Sequence, residues 1–285
     1  MTKNSLHFAN NLAVSAQCKC KSKGNIYNMM ILYSDYFPKK TIKRFKLLPS
    51  THDFASKWCQ SDLLPPEGSI VIAENQTHGK GQTGNSWQSE AGRNLTFSMI
   101  YYPTFLTLDR LFALNMITSL AVWESINHLD LTNLAIKWPN DILINHQKVA
   151  GILIRNSLSG KKLGCSIIGI GLNVHQLVFP QGIPNATSLQ LATNRVVEKD
   201  DIFNRIIHHF EAYYISLKNG QYDTIKQRYL EQLYRKGQES TFFRKDGAPF
   251  QGKILDVRDT GHLLVDIEGD IEVFDFQEIQ FTSSR

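Results

Sequence analysis

Four short apolar runs follow one another between residues 134 and 170 with only turn residues between them, and this succession constrains the fold more than any other feature. Runs of this length, bounded by turn residues, are typical of buried β-strands. The last two meet across Ser159-Gly160, which indicates a hairpin. The predicted strands cover residues 134–137, 142–144, 149–155 and 163–170. We therefore expect a β-sheet in this part of the chain.

Helices and further strands are expected before this sheet segment and after it. Further strand-like runs occur at 45–48, 69–73 and 94–102, and helical spacing of apolar residues predicts helices over 53–60, 106–129, 200–217 and 222–235. Asp200 or Asp201 is placed to cap the third of these helices. From residue 240 onward, short runs separated by Asp246-Gly247 and Gly269-Asp270 predict a small all-β meander. The expected fold class is α+β, a mixed β-sheet with helices followed by a small β-barrel.

Charge and composition divide the chain into three parts. Residues 1–28 hold four lysines and no acidic residue, while the whole chain has 31 Lys plus Arg against 26 Asp plus Glu, so the remainder carries 27 − 26 = +1. We expect residues 1–40 to be a tail, disordered at least to residue 28, followed by a main domain at 41–236 and a small domain at 237–285. A main surface so close to neutral argues against binding of nucleic acid.

The spacing of the cysteines and the length of the apolar runs indicate which cellular compartment the protein occupies. The chain contains no C-x-x-C pair, which argues against a disulfide framework and a zinc site and suits a reducing compartment. Cys165 is expected in the core. No stretch approaches 18 apolar residues, so the sequence predicts no membrane-spanning helix, and the N-terminus lacks the apolar core of a secretory signal. These features predict a cytoplasmic protein.

A glycine-rich loop follows the predicted strand at 69–73. Gly79, Gly81 and Gly84 come at near-alternate positions, and glycine lets backbone amides approach an anion closely. Lys80 adds a mobile positive charge, and Trp87 adds a flat ring just beyond the loop. Such a loop can close over a phosphorylated ligand and exclude water. A polar glycine-rich loop is nevertheless more often only a loop.

Lys137-Trp138-Pro139-Asn140-Asp141 lies between two predicted strands. Pro139 fixes its own φ and biases Trp138 toward extended geometry, which would hold Asn140 and Asp141 at a rigid corner. Neighbouring Asn and Asp side chains could hold Mg²⁺ on the phosphates of a nucleotide. An Asx turn that joins two strands explains the same residues without a ligand, and local chemistry alone favours that simpler interpretation.

Two further segments carry groups that could contact a ligand. Lys148 stands at the start of an apolar strand, where a lysine is usually solvated, but the small pair Ala150-Gly151 leaves room against the strand. Lys148 therefore has space to meet a carboxylate or a phosphate. Asn173 ends the next strand after Gly169 and Gly171, and its amide could hydrogen-bond the edge of a base.

Taken together, these segments resemble the biotin–protein ligases, over roughly residues 46–280. The family's motifs occur in its order: Ser50-Thr51, Gln76, Lys137-Trp138-Pro139-Asn140-Asp141, Lys148-Val149-Ala150-Gly151-Ile152-Leu153 and Gly169 to Asn173. The resemblance implies a class II synthetase-like catalytic domain followed by an SH3-like barrel. Roughly 20 residues separate Met29 from Ser50, too few for a helix-turn-helix, so we expect the short form without an N-terminal DNA-binding domain.

The resemblance also implies a reaction in two steps. Biotin and MgATP give biotinyl-5′-adenylate and pyrophosphate, and a lysine of a partner then attacks the mixed anhydride. The implied partner is the biotin carboxyl carrier domain of a biotin-dependent carboxylase or decarboxylase. Two anions must meet in the first step, which requires positive charge at the meeting point. Lys148 and Lys80 are the residues expected to supply that charge.

The resemblance assigns roles to thirteen residues. The biotin-binding residues would be Ser50, Thr51, Gln76, Gly79, Lys80, Gly81, Gln82, Lys148 and Gly151, and the residues for ATP and the adenylate would be Trp87, Asn140, Asp141 and Asn173. Asn140 and Asp141 would also hold Mg²⁺. Lys148 would bind the biotin carboxylate and later the α-phosphoryl region, and the loop would close on the adenylate.

Three residues depart from the family pattern. The family loop is usually Gly-Arg-Gly-Arg-x-Gly, whereas Lys80 and Gln82 stand here in place of the two arginines, and His52 replaces the Asn of Ser-Thr-Asn. Lys80 keeps a charge but loses the bidentate fork, and Gln82 loses the charge. We therefore expect the adenylate to leave this protein faster than it leaves a relative with arginines.

Two alternative functions remain open from the sequence. A lipoate– or octanoate–protein ligase would share the fold and the acyl chemistry, although Lys137–Asp141 and the glycine loop favour biotin. A non-catalytic protein that binds biotin or a carrier domain would explain the altered loop. The chain could be a monomer or a homodimer, since an open sheet edge can pair with a second copy.

Overall fold

The computed structural model describes residues 36–37, 39–82, 84–158, 163–181 and 185–281 with their side chains, and residues 14–17, 26–32, 159 and 162 by their backbone. Nine described strands form the main sheet: β1 (Val14–Gln17), β2 (Ile26–Leu32), β3 (Lys40–Leu48), β4 (Ser69–Gln76), β5 (Leu95–Tyr101), β6 (Ala135–Lys137), β7 (Asp141–Ile144), β8 (Gln147–Ser159) and β9 (Lys162–Leu172).

The spatial order of these strands is β1-β2-β3-β4-β5-β9-β8-β7-β6. Among the described pairs, β3 and β4 are parallel and the others are antiparallel, so the sheet is mixed. The predicted hairpin between residues 149 and 170 is formed by β8 and β9. The α+β prediction is confirmed.

The helices are α1 (Thr51–Trp58), α2 (Ala113–Asn127), α3 (Leu189–Thr193), α4 (Lys199–Lys218) and α5 (Tyr222–Glu231). The predicted helix at 106–129 is shorter than expected, because a 3-10 turn at Leu108–Arg110 precedes α2. The expected cap of α4 was wrong: its N-cap residue is Glu198, which makes no side-chain cap, and Asp200 and Asp201 lie in the first turn. There their charges favour the positive end of the helix dipole.

The sheet is buried on both faces, by different helices. On β5, Phe97, Met99 and Tyr101 belong to the large core shared with α2, α4 and α5, because alternate residues of a strand face the same side. Ile100 faces the other way, into a smaller core that includes Ala55 of α1. The helix α1 therefore lies on one face of the sheet, and α2, α4 and α5 lie on the other.

The expected N-terminal tail contributes two strands, which corrects the prediction for those stretches. The backbone of β2 pairs antiparallel with β3, and β1 pairs with β2, so residues 14–17 and 26–28 are part of the sheet. The apolar run of β2 has the composition of a strand, and the open edge of β3 supplies the hydrogen-bonding partners. The rest of the predicted tail before residue 36 lies outside the described residues.

The C-terminal part is a five-stranded antiparallel sheet, formed by β10 (Glu239–Arg244), β11 (Pro249–Val257), β12 (Leu263–Ile267), β13 (Asp270–Phe274) and β14 (Ile279–Phe281). Its order is β13-β12-β11-β10-β14. Phe242 and Phe274 are buried in its core, whereas Phe276 is 40% exposed. Phe276 stacks instead on Trp138 of the main domain, with ring centroids 5.3 Å apart.

Trp138 connects the two parts of the molecule. Its indole Nε1 donates a hydrogen bond to the Gly261 carbonyl at 2.9 Å, and its side chain is buried. Gly261 has φ +97°, and a Cβ there would lie 2.6 Å from the Phe112 ring, so only glycine fits this contact. Among the described helices, none has the length and apolar composition to cross a bilayer.

Candidate active site

A cavity of about 330 Å³ opens where β4, β5, β8 and β9 face α1 and the glycine-rich loop. Its volume lies within the range of small-molecule sites, about 300–1,000 Å³. Every residue that the sequence assigned to the site lines this cavity except Gly79, which lies at the base of the loop. The fold thus brings together five segments that are far apart in the sequence.

The start of α1 forms a polar cluster on the cavity wall. Ser50 is the N-cap residue, and its hydroxyl accepts from the Asp53 amide at 3.2 Å. Thr51 donates to Gln76 Oε1 from its backbone amide at 2.7 Å and from its hydroxyl at 3.1 Å, and that hydroxyl lies 2.9 Å from Ser98 Oγ. The carbonyl of Gln76 is therefore engaged by the protein, and its NH₂ group remains available as a donor.

His52 lies in the same wall and is 3% exposed. Neither ring nitrogen has a hydrogen-bond partner among the described residues, and the ring packs beside Gly169. Burial, together with the positive charge of Arg155, lowers the pKa of His52 to about 4. The ring is therefore neutral at neutral pH.

The glycine-rich loop is a narrow hairpin. Trp87 N donates to the Gly79 carbonyl at 3.0 Å, and Gly81 N donates to the Asn85 carbonyl at 3.0 Å. A Cβ on Gly79 would lie 2.2 Å from the Trp87 carbonyl, so the two arms can meet only at glycine. Lys80 forms an ion pair with Asp53 at 3.6 Å, and both side chains are about two-fifths exposed, so this pair holds the loop only weakly.

Two glycines on paired strands make a flat floor for the Trp87 ring. Gly151 of β8 pairs with Gly171 of β9. A Cβ on Gly171 would lie 2.3 Å from the Trp87 ring, and a Cβ on Gly151 would lie 3.2 Å from it and 3.1 Å from Lys148 Nζ. The absence of side chains at both positions therefore lets an aromatic ring lie directly on the sheet.

Lys148 is held in place by contacts of both its backbone and its side chain. Its backbone N–H donates to the Asn185 carbonyl at 2.6 Å, and its carbonyl accepts from the Thr187 amide at 2.9 Å. Its Nζ lies 2.7 Å from Asp141 Oδ1 and 5.9 Å from the centroid of the Trp87 ring. The ammonium group is thus fixed over the glycine floor beside a carboxylate.

The corner between β6 and β7 contacts both the C-terminal domain and the cavity. Trp138 packs on the C-terminal domain, and Lys137 Nζ lies 5.2 Å from the centroid of the Phe281 ring, where burial lowers its pKa. Asn140 and Asp141 line the cavity. Asn140 Nδ2 donates to the Ile152 carbonyl, which ties the corner to β8.

Asn173 follows β9 at the edge of the cavity and is 4% exposed. Its Nδ2 donates to the Thr187 carbonyl at 3.0 Å, whereas its Oδ1 has no partner among the described residues. A buried amide oxygen without a partner is costly, so this position suits a ligand that supplies a donor. The exocyclic amino group of adenine is such a donor.

The described part of the chain contains no cluster of three or more His, Cys, Asp or Glu side chains that would form a metal site by itself. The carboxylate of Asp141 and the amide oxygen of Asn140 are nevertheless the oxygen ligands that Mg²⁺ takes when phosphates and water complete its coordination.

Sequence reasoning did not find all of the lining. Thr96 and Ser98 of β5, together with Phe179 and Ala186, also face the cavity. The alternation of polar and apolar residues on β5 indicated that Thr96 and Ser98 share a face, but nothing local showed that this face would be buried against α1. For Phe179 and Ala186 the sequence carried no signal.

Comparison with known proteins identifies the family of the chain. The model of the biotin/lipoate A/B protein ligase family matches residues 45–173. The chain is 32% identical to the bifunctional ligase/repressor BirA of Bacillus subtilis, and the matched region covers 77% of this chain and 67% of BirA. It is 29% identical to the biotin–[acetyl-CoA-carboxylase] ligase of Paracoccus denitrificans, over 68% of this chain and 82% of that one.

The fold is also similar to solved structures. The biotin protein ligase of Aquifex aeolicus in complex with biotin and ATP superposes with a TM-score of 0.70 at 24% identity, covering 85% of this chain and 99% of that one. The chain spans about two-thirds of the length of the first curated relatives it matches. These matches confirm the resemblance that the motifs suggested. The chain therefore belongs to the biotin/lipoate A/B protein ligase family, and within it to the biotin–protein ligases.

Proposed function

We propose that the protein is a biotin–protein ligase, which forms biotinyl-5′-adenylate from biotin and ATP and transfers biotin to a lysine of a carrier domain. The order of groups along β9 carries this proposal. Gly169 lies beside His52, Gly171 lies under Trp87, and Asn173 follows the strand. These three residues share a face and span about 13 Å.

The groups around this strand match the parts of the adenylate in order. The polar cluster of Thr51, Gln76 and Ser98 is next to Gly169, since Ser98 pairs with Gly169 between β5 and β9. Lys148 lies over Gly151, which pairs with Gly171. The amide of Asn173 comes last. A ureido head, a carboxylate joined to phosphate, and an adenine would meet these groups in the same order.

Biotin fits the polar cluster better than lipoate does. The ureido ring carries two N–H donors and a carbonyl, which can satisfy the NH₂ group of Gln76 and the hydroxyl of Thr51. The dithiolane ring of lipoate has no comparable groups. It would leave buried polar atoms without partners, at a cost of about 1–3 kcal/mol each.

Lys148 would be the group that brings the two anions together. Its ammonium lies beside Asp141 at 2.7 Å, so a negatively charged ligand would compete with a carboxylate that is already in place. Charge stabilisation of this kind acts on the developing negative charge as the carboxylate attacks the α-phosphorus. Lys80 would add charge from the loop.

Asp141 and Asn140 would hold Mg²⁺, which neutralises charge on the phosphates when it is bound. The Trp87 ring lies on the glycine floor in this structure, so it would move off the floor to admit the ligand and would then cover the adenylate on the loop side. Asn173 Oδ1 would accept from the adenine amino group. With the ring displaced, the glycines of the floor would leave room for the ligand against the sheet.

The partner in this proposal is the biotin carboxyl carrier domain of a biotin-dependent carboxylase or decarboxylase. This is supported by the name of the Paracoccus relative, which is a ligase for acetyl-CoA carboxylase. A cytoplasmic location, the absence of operator binding, and the choice between monomer and homodimer stay predictions.

Mass spectrometry of the products tests the proposal. The purified protein is incubated with ATP and Mg²⁺ and with either biotin or lipoate, and the acyl adenylates are measured. We expect biotinyl-adenylate and no lipoyl-adenylate. Lipoyl-adenylate as the main product would select the lipoate ligase, and binding of biotin without either adenylate would select a non-catalytic binding protein.

A further inference from the structure

Two cysteines that are far apart in the sequence meet beneath α1. Cys59 is the C-cap residue of α1, and its backbone N–H donates to the Ala55 carbonyl at 2.9 Å. Cys165 lies on β9. Their Sγ atoms are 2.6 Å apart, and both thiols are free. A covalent bond between them would need a shift of only about half an ångström.

The surroundings hold both thiols in place. The hydroxyl of Ser157 accepts from the Cys165 amide at 2.9 Å and donates to the Cys165 carbonyl at 3.0 Å, so the backbone at Cys165 is fixed on β9. Cys165 is 8% exposed and belongs to the small core under α1, whereas Cys59 is half-buried and packs at its margin. Cys59 is thus the more exposed residue of the pair.

We propose that Cys59 and Cys165 form a redox-active pair that a hydroperoxide oxidises to a disulfide, which fastens α1 to β9. The Cys59 thiolate attacks the peroxide oxygen, giving a sulfenic acid and releasing an alcohol or water. The Cys165 sulfur then attacks Cys59 Sγ, the S–O bond breaks and water leaves. The two thiols lose two electrons and two protons in total, and the hydroperoxide is reduced.

Access and hydrogen bonding assign the first attack to Cys59. The hydrogen bond from the Cys165 thiol stabilises the Cys59 thiolate and lowers the pKa of Cys59, while donation of this hydrogen bond, together with burial, raises the pKa of Cys165. The thiolate is the reactive form, so the more exposed cysteine is also the more reactive one. Cys165 would act as the resolving thiol.

The consequence for the protein is a fixed helix behind the cavity. Cys165, Ile167 and Gly169 alternate along β9 and share one face, so the face that carries the thiol continues into the cavity floor. At its other end α1 begins with Ser50 and Thr51, which line the cavity. A disulfide would therefore suppress openings of the helix that shapes one wall of the site.

Oxidation of the full chain carrying Cys18→Ser and Cys20→Ser tests this proposal, because only the two thiols in question then remain. After treatment with hydrogen peroxide, we expect the intact mass to fall by two hydrogen atoms and one peptide to contain Cys59 linked to Cys165. Dithiothreitol should restore the original mass. Intermolecular dimers, or oxygen added to separate thiols, would overturn the proposal.

Two single variants of this background separate the roles of the thiols. With Cys165→Ser, Cys59 should stop at a sulfenic acid that dimedone traps. With Cys59→Ser, the buried Cys165 should react at least tenfold more slowly under the same peroxide. Equal reactivity of the two variants would contradict the assigned order of attack.

Hydrogen exchange tests the effect on α1. In the oxidised protein the amides of residues 51–58 should exchange roughly tenfold more slowly or slower still, because a cross-link removes the openings in which the helix leaves the sheet. The amides of α5 serve as an internal reference and should not change. If the exchange rates of the α1 amides were unchanged in the cross-linked protein, the disulfide would not hold α1 against β9 and the proposal would be refuted.

Discussion

Two amides of the cavity are each bound by the protein on one side only. Gln76 uses its oxygen for Thr51 and keeps its NH₂ group free, whereas Asn173 uses its NH₂ group for Thr187 and keeps its oxygen free. The described part of the cavity thus offers donors at one position and an acceptor at another. At the residue scale, the donors and acceptors that the internal hydrogen bonds leave unpaired determine which ligand groups fit the cavity.

Removal of the Lys148 ammonium should abolish most of the first reaction step while the fold is retained. We expect Lys148→Ala to slow pyrophosphate release by about 100-fold or more, because the Lys148 ammonium lies 2.7 Å from Asp141 and over the glycine floor. Lys245→Ala, at an exposed lysine of the C-terminal domain, is the matched control and should behave like the wild type. Near-normal pyrophosphate release from Lys148→Ala would overturn the role of this lysine.

His52 should make the stability of the protein depend on pH. Its pKa is about 4 in the folded protein against 6.5 as the ordinary value, so between these pH values the unfolded chain binds more protons and stability falls as pH falls. Relative to His52→Asn, the wild type should lose on the order of 3 kcal/mol of unfolding free energy between pH 6.5 and 4. Denaturant unfolding at several pH values measures this. Parallel pH profiles would show that the ring does not titrate with folding.

At the scale of elements, the loop hairpin and the glycine floor work as one unit. The hairpin can close only because Gly79 has no side chain to collide with the Trp87 backbone. The closed hairpin places the Trp87 ring on Gly151 and Gly171. The ring belongs to the loop, and the floor belongs to two strands of the sheet. A substitution at Gly151 or Gly171 in the sheet can therefore change the position of the loop.

A methyl group on the floor should displace the loop. In Gly171→Ala the new Cβ would lie 2.3 Å from the Trp87 ring, so the ring must move. We expect altered fluorescence of Trp87 and at least roughly tenfold weaker retention of the adenylate. Gly169→Ala is the matched control on the same face, because its nearest atom is His52 Cδ2 at 3.3 Å. Equal effects of the two substitutions would argue against a specific role of the ring.

The loop residues should set how long the adenylate stays bound. Lys80 is 42% exposed and paired with Asp53 at 3.6 Å, and Gln82 carries no charge, so neither offers the bidentate contact that arginine makes with phosphate. In Lys80→Arg with Gln82→Arg, we expect slower release of biotinyl-adenylate than in the wild type, measured after rapid removal of free ligand. Equal lifetimes would remove this explanation.

At the scale of the whole molecule, the C-terminal domain is joined to the main domain by both apolar and charged contacts. Phe276 and Gly261 enclose Trp138, and the two domains share one continuous core. Lys226 of α5 lies 3.4 Å from both Asp256 and Asp259 of the C-terminal domain. Because the next residues after Trp138 line the cavity, this junction supports the corner that carries Asn140 and Asp141.

Weakening the junction should therefore affect the nucleotide more than biotin. We expect Phe276→Ala to raise the KM for ATP several-fold with little change in the KM for biotin, and to lower the unfolding free energy by about 1–2 kcal/mol. Val273→Ala, at a similarly exposed residue on β13, is the control. A larger change in the KM for biotin than in that for ATP would contradict this role of the junction.

Most elements after residue 40 could be predicted because their periodicity is local. The positions that the sequence did not reveal depend on contacts between distant segments. Ser98 is buried because α1 covers β5, His52 is buried beside Gly169, and Phe276 leaves its own sheet because Trp138 offers a ring to stack on. The strands β1 and β2 were missed because their lysine-rich flanks suggested a tail, while the edge of β3 gives them a partner.

The enclosure of Trp138 has a consequence for synthesis of the protein. Ribosomes make the chain from the N-terminus, so α1, the loop and Lys148 emerge long before Gly261 and Phe276. Until those last residues leave the exit tunnel, the indole of Trp138 has neither its hydrogen-bond acceptor nor its stacking partner. A nascent chain can thus assemble the polar cluster of Thr51, Gln76 and Ser98 first, and it completes the corner that carries Asn140 and Asp141 only when translation is nearly finished.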